Sequence, residues 1–204
     1  MSNPISVVIA YHSGYGHTAR QAEAVARGAR SVDGVTADLR DVSTLDEGLW
    51  AALDRADAII FGTPTYFGGQ SAAFQSFAEA TAGIWAEQGW KDKLAAGFTN
   101  SAGINGDKSH VLTSLAVFAA QHGMQWIPLG LLPGWNTTGG SVEDLNRLAG
   151  FMGALAQSHA DAGPDLAPPA TDLRTAEHLG RRVAEKATQW AHARRATATL
   201  LEAA

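Results

Sequence analysis

The run Ile5–Tyr11, "ISVVIAY", is short, β-branched and almost wholly apolar, and it stops at "HSGYGHT". A strand with one wet face alternates polar and apolar residues, whereas a continuous apolar run of this length is buried on both faces. Such a strand needs helices above and below its sheet. The first helix follows directly. From His17 to Arg30, residues Ala19, Ala22, Val25, Ala26 and Ala29 recur on one side of a helical wheel.

The alternation then repeats along the chain. "VTADLRD" (Val35–Asp41) reads as a second strand, and "DAIIFGTP" (Asp57–Pro64) as a third, stopped by Gly62 and Pro64. "SAAFQSFAEATAG" is helical in pattern. "KLAAGFTNS" reads as a fourth strand, "KSHVLTSLAVFAAQHG" as a helix ended by Gly123, and "MQWIPLG" as a fifth strand. "SVED" (Ser141–Asp144) has the spacing of a capping box and predicts another helix. "HADAGPDLAPPATD" reads as a loop. The tail is helical from about Leu173, with Leu179, Val183, Ala187 and Trp190 in phase.

Strand–helix alternation predicts an α/β architecture, a doubly wound parallel sheet with helices on both faces. Right-handed crossovers and five strands suit the order 2-1-3-4-5. No repeat or second core is evident. The expectation is one unit over residues 1–204, with an insertion at about 130–170.

Charge and composition narrow the function. The 204 residues carry a formal net charge of −5, which disfavours nucleic acid as the main partner. With no cysteine, disulfides, thiolate metal sites and redox thiols are excluded. Asp107 and His110 have no partners at ligand spacing, so no metal is expected. The first residues, "MSNPISVVIAYHSG", lack a basic stretch before a long apolar core, and no run is long enough to span a bilayer. A cytoplasmic protein with no membrane partner is the expectation.

Ligands of open parallel sheets bind at the carboxyl ends of the strands, where strand order reverses. Ser13–Thr18 lies there, feeding a helix N-terminus that offers free N–H groups and about half a positive charge. Gly14 and Gly16 permit close backbone approach, and Ser13 and Thr18 add hydroxyls. No Gly-Lys-Ser/Thr follows, and "GYGHTA" lacks the third glycine of a dinucleotide fingerprint. A single phosphate fits best. Two further loops share this edge. "GTPTYFGG" (Gly62–Gly69) sets aromatics beside glycines, and "TNSAGING" (Thr99–Gly106) is a run of small residues. A phosphate cradle beside two loops able to grip a flat polar ring describes a mononucleotide site.

The series "YHSGYGHT … GTPTYFGG … TNSAGING … QHGM", together with "GIWAEQGW" and "IPLG", resembles the flavodoxin-like proteins, and most of all the WrbA-type NAD(P)H:quinone oxidoreductases. The likeness covers about Val7–Pro128. It implies FMN as cofactor, NADH or NADPH as electron donor, a quinone or similar small acceptor, and a homo-oligomer, a tetramer or else a dimer, whose neighbouring chains complete each pocket. Carried over by position, Ser13, Gly14, Tyr15, Gly16, His17 and Thr18 would hold the FMN phosphate. Pro64, Thr65, Tyr66, Phe67 and Gly68 would border the ring system. Asn100, Ser101, Ala102, Gly103, Ile104 and Asn105 would contact the ring and ribityl chain. Gln121 and His122 would approach the flavin. Tyr15, Tyr66 and Trp85 would line the substrate side. No protein side chain is required as a catalyst. The implied reaction is two-electron, ping-pong reduction of a quinone, and the alternative is a flavodoxin-type electron carrier or FMN-binding module without turnover of its own.

The chain departs from that family at four places. Tyr66 stands where an arginine is usual, and Gln121 where the first of two histidines is usual. "NSAGING" has fewer glycines, and 130–170 does not match the family's glycine-rich segment.

Overall fold

The computed structural model describes residues 4–202; Met1–Asn3, part of the stretch read for a leader, lie outside them. In chain order the elements are β1 (Ile5–Tyr11), α1 (His17–Arg30), β2 (Val35–Asp41), α2 (Glu47–Arg55), β3 (Ala58–Tyr66), β4 (Gly69–Gln70), α3 (Ala72–Ala80), α4 (Ala82–Ala86), β5 (Leu94–Ser101), α5 (Lys108–Gln121), β6 (Gln125–Trp126), β7 (Ala154–Gln157) and α6 (Ala170–Glu202).

The parallel sheet runs β2-β1-β3-β5, and its last position is shared by β6 and β7. β6 pairs with Leu94–Ala95 at the start of β5, and β7 with Phe98–Ser101 at its end. Together they fill the fifth place of the order 2-1-3-4-5. The expected fifth strand, Met124–Gly130, is therefore only the first half of one interrupted strand. Pro128 has no N–H for a ladder, and Gly130 turns the chain at φ 70. The excursion closes on itself: Leu129 N–H donates to Phe151 O at 3.0 Å and Trp126 Nε1 to Met152 O at 2.9 Å. β7 thus lies inside the stretch read as an insertion.

Three further expectations change. β3 is not stopped by Gly62 and Pro64 but runs on to Tyr66, with Pro64 opposite Asn100. Gly62 is there because a Cβ would enter the Phe98 ring. The helix expected at Ser141 does not form. Ser141 N–H donates to Asp144 Oδ2 at 2.8 Å and Glu143 N–H to Ser141 Oγ at 3.1 Å, but Asn146 and Ala149 then turn left-handed, at φ 53 and 55. The capping bonds exist without a helix to cap. Conversely, α2 was not expected, although Asp46 caps it by accepting from Leu49 N–H at 2.7 Å.

Each face of the sheet carries its own core. On one, Val7, Ile9, Ile60 and Phe98 meet Val25 of α1 and Leu179 and Val183 of α6. On the other, Val8, Ile59 and Phe61 meet Leu53, Phe74, Phe77 and Leu112. Helices α1 and α6 approach closely because Gly28 and Gly180 have no Cβ; one at either position would overlap the carbonyl of Glu177 or Val25. This packing holds the second half of α1 against α6.

Candidate functional site

Four loops converge at the carboxyl edge and enclose a cleft of about 630 Å³. That lies within the usual range of about 300–1,000 Å³ for small-molecule sites. Ser13, Gly14, Tyr15, His17 and Thr18 come from the first loop, Pro64, Thr65 and Tyr66 from the second, and Asn100, Ser101 and Ala102 from the third. Ser158, Ala160, Ala162, Gly163 and Pro164 come from the segment after β7.

The first loop leaves donors facing the cleft. Gly16 precedes α1 in a left-handed conformation, φ 87, and no side chain caps the helix at that residue. Ser13 Oγ accepts from Ala19 N–H at 3.1 Å, which bends the loop back over the helix start. The earlier N–H groups of the turn remain for an anion. A Cβ at Gly14 would run into the Tyr66 hydroxyl, and one at Gly16 would lie 2.9 Å from Pro164 Cγ. The cradle exists because both residues are glycine, and it fits a phosphate.

The second loop is a hairpin. Thr65 pairs with Gln70 and Tyr66 with Gly69, leaving Phe67 and Gly68 as the turn. Both have positive φ, 50 and 80, the pattern that two-residue hairpin turns demand. Phe67 is fully exposed at the tip, so its left-handed backbone is sustained by the hairpin and not by side-chain packing. His110 Nδ1 lies 2.8 Å from Gly68 O and ties the tip to α5. Tyr15 and Tyr66 meet edge to face at 6.3 Å across the mouth. Burial, then the neighbouring Tyr15, pushes the Tyr66 phenol above its usual 10.0, so it stays a neutral donor.

Beneath the loops runs a ladder of hydroxyls. Thr65 Oγ1 and Thr99 Oγ1 are 2.8 Å apart, Thr99 Oγ1 donates to Thr63 O at 2.6 Å, and Ser158 Oγ donates to Asn100 Oδ1 at 2.9 Å. The last bond joins the third loop to the segment after β7. His17 Nε2, 2.8 Å from Ala162 O, joins that segment to the first loop.

Not every expected residue reaches the cleft. Gly16 shapes it from behind. Phe67, Gly68, Gly103, Ile104 and Asn105 lie beyond its lining, at the tips of their loops. Trp85, Gln121 and His122 do not approach it within this chain. Helix α5 starts beside Ser101 and runs its 14 residues back along the sheet, which carries its end about 20 Å away. Its end meets the amino edge, where Asp92 N–H donates to Gly123 O at 3.0 Å. His122 is buried there. Its ring is 4.6 Å from that of Trp90 and 4.8 Å from that of Phe118, and its Nε2 is 3.0 Å from Thr81 Oγ1. Burial holds this imidazole below its ordinary 6.5. Gln121 and Trp85 lie at the same edge with exposed side chains.

Sequence reasoning read His159–Asp172 as a loop but missed that its start lines the cleft. Its signal was the short run "ALAQ" before "SHADAGP": an apolar run ending in small residues, as at the other three strand ends. It also missed Lys108, which is fully buried at the start of α5. Its Nζ donates to Ser101 Oγ at 2.9 Å and to Gly103 O.

Comparison with known proteins agrees with this architecture. Residues 5–133 match the family model described as NADPH-dependent FMN reductase. The chain is 43% identical to the flavodoxin FldP of Pseudomonas aeruginosa over 87% of its length and 94% of that relative. It is 32% identical to an NAD(P)H dehydrogenase (quinone) of Geobacter sulfurreducens, covering 91% of this chain and 98% of the other. Its fold superposes on the crystal structure of a flavodoxin, WrbA-like protein from Agrobacterium tumefaciens with a TM-score of 0.72 at 42% identity, over 91% of this chain and 98% of that one. A cleft built from strand-end loops, on a sheet of order 2-1-3-4-5 and in a chain with these relatives, makes this protein a member of the NADPH-dependent FMN reductase family, of the WrbA-type, flavodoxin-like kind.

Proposed function

We propose that this chain is an FMN-dependent oxidoreductase in which NAD(P)H, a proton and a quinone give NAD(P)⁺ and the quinol. One observation carries the reading. A helix N-terminus with free N–H groups and a cleft of mononucleotide size lie side by side at the strand ends, in a chain matched by an FMN reductase family model.

Bound FMN supplies the chemistry, taking up hydride from one substrate and passing two electrons to the next. The chain's residues bind and orient. The N–H groups at the start of α1, with Ser13 and Thr18, hold the phosphate. Pro64, Thr65 and Tyr66 wall one side of the ring, and Asn100, Ser101 and Ala102 the other. Phe67, Gly68, Gly103, Ile104 and Asn105 flank the opening, and the 158–164 segment closes the phosphate end. Tyr15 and Tyr66 offer aromatic faces at one opening, which donor and acceptor occupy in turn. No protein nucleophile or acid is needed.

A homotetramer, or failing that a dimer, belongs to the same proposal. Trp85 and Gln121 sit at the amino edge with exposed side chains, so they serve a cleft only if it belongs to a neighbouring chain. A cytoplasmic setting, where NAD(P)H is supplied, completes the picture.

The test is turnover of the purified protein with NADH, NADPH and a panel of quinones, and identification of any released flavin. FMN and steady quinone reduction with parallel double-reciprocal lines are expected. The 43% identity to a protein named flavodoxin favours one second reading, a one-electron carrier. FMN without NAD(P)H turnover would establish that reading, and absence of flavin would overturn both.

A further inference from the structure

Lys108 is an unusual residue for its place. It is the first residue of α5, fully buried, behind the wall that Ser101 and Ala102 give to the cleft. A helix N-terminus already carries about half a positive charge, so a lysine there adds like to like. No acidic residue lies in the first turn of α5, and the side chain of Asp107 does not cap it.

The nearest buried carboxylate is already engaged. Asp172, 1% exposed, binds Arg147 in a fork, with Nε to Oδ1 at 2.7 Å and Nη2 to Oδ2 at 2.9 Å. Its Oδ2 also accepts Gln157 N–H at 2.9 Å. Gln157 Nε2 in turn donates to Ala102 O at 3.1 Å. Among the described residues, no carboxylate forms an ion pair with Lys108. Behind the third loop the charges are thus two cations, Lys108 buried and Arg147 with its side chain 10% exposed, and one buried anion, with one positive charge left over. Among the described residues its direct partners are a hydroxyl and a carbonyl of the loop itself. Burying an uncompensated charge is costly, and burial lowers the Lys108 pKa to about 8, against the opposing pull of Asp172. Stability alone gives no reason to keep a lysine here, because a neutral side chain of similar volume would fill the space at no such cost.

A reason appears when the cleft holds a ligand that gains negative charge. We infer that Lys108 is a positioning residue whose buried charge stabilises reduced over oxidised flavin in the adjacent cleft, and so raises its reduction potential. The inference rests on the FMN reading above. Hydride transfer from a nicotinamide adds two electrons and one proton, so the flavin gains one negative charge as NAD(P)⁺ forms. The FMN phosphate is present in both states and cancels, so the leftover cation acts on the difference between them.

The test is the two-electron midpoint potential of bound FMN, with the FMN dissociation constant, in wild type and in Lys108→Met, Lys108→Gln and Lys108→Arg. Gln keeps a donor for Ser101 or Gly103 without the charge, Met keeps neither, and Arg keeps both. Folding is checked by circular dichroism, and Gln carries the test if Met does not fold. The expected result is a fall of tenfold or more in the preference for reduced flavin in Met and Gln, ~30 mV for two electrons, with Arg within about threefold of wild type. Oxidised FMN should bind the Gln variant within about threefold of wild type. An unchanged potential in Gln would overturn the inference, whether or not Met shifts, and leave Lys108 as a scaffold for the loop. A wild-type protein that binds no FMN would overturn the functional reading and this inference with it. FMN binding with unshifted potentials overturns this inference alone.

Discussion

The two edges of the sheet are built from opposite materials. At the carboxyl edge the chain spends glycines, hydroxyls and positive-φ residues to surround a cleft of about 630 Å³. From the amino edge into the core of one face it packs His122, Trp90, Phe118, Phe77 and Phe61 ring against ring, with centroids 4.6–6.5 Å apart. Trp90 is 1% exposed and His122 2%. The contrast teaches where function can reside. A histidine and a tryptophan are the residues most readily credited with chemistry, yet here they are core. The cleft lies at the other edge, made largely of backbone.

Breaking each edge should therefore produce opposite signatures. Trp90→Ala removes the largest fully buried side chain and leaves a cavity, at about 3–5 kcal/mol. Thermal unfolding should show the loss, while the fraction that remains folded binds FMN with wild-type affinity. Gly14→Val acts the other way. Its Cβ would point at the Tyr66 hydroxyl and fill the cradle. FMN affinity should fall about 100-fold, ~2.7 kcal/mol, with the melting temperature of the FMN-free protein nearly unchanged. If both substitutions moved stability and binding together, the edges would not be separable in this sense.

pH sharpens the same comparison. His122 is held neutral by burial, below its ordinary 6.5. As pH falls below 6.5, the unfolded chain binds a proton that the folded chain refuses. Stability should thus be full above that value and decline below it. His178, lowered by burial and bonded to Leu129 O at 3.1 Å, adds to the decline. His122→Gln should flatten part of the slope in denaturant titrations at pH 5–7. An unchanged slope would remove His122 from the account.

The smallest expected effect lies at the mouth of the cleft. Tyr66 is 37% exposed and neutral, at the position where the family resemblance implies an arginine. Tyr66→Arg should lower the Michaelis constant for the nicotinamide by no more than about fivefold, because an exposed pair is worth ~0–1 kcal/mol. The quinone constant should change less. A raised nicotinamide constant at both low and moderate salt would show that Tyr66 does not stand in for a missing charge.

The strand–helix alternation was legible in the sequence because both-face burial leaves continuous apolar runs such as Ile5–Tyr11. So were three of the four loops, whose glycines and hydroxyls follow those runs directly. β7 was hidden because Ala154–Gln157, four residues and half alanine, signals a strand only weakly; its pairing with the end of β5 makes it one. With the strand unseen, the loop read at His159–Asp172 could not be placed at the cleft. The false helix at Ser141 shows the converse: capping residues satisfy a turn as readily as a helix when no apolar face follows to be buried. Lys108 gave no local signal, since nothing in "GDKSH" says that its side chain is fully buried behind Ser101. His122 carried a family pattern, and the length of α5 puts it at the far end of the sheet from this chain's own cleft.

The central claim is that the carboxyl-edge cradle takes one phosphate and the cleft one flavin ring. Calorimetric titration of FMN-free protein with FMN, riboflavin and FAD tests it most directly. One FMN per chain is expected, with riboflavin weaker by about 100-fold or more for want of the phosphate, ~2.7 kcal/mol, and FAD weaker than FMN because no second phosphate site is built. Equal affinity for riboflavin and FMN, or a preference for FAD, would contradict it.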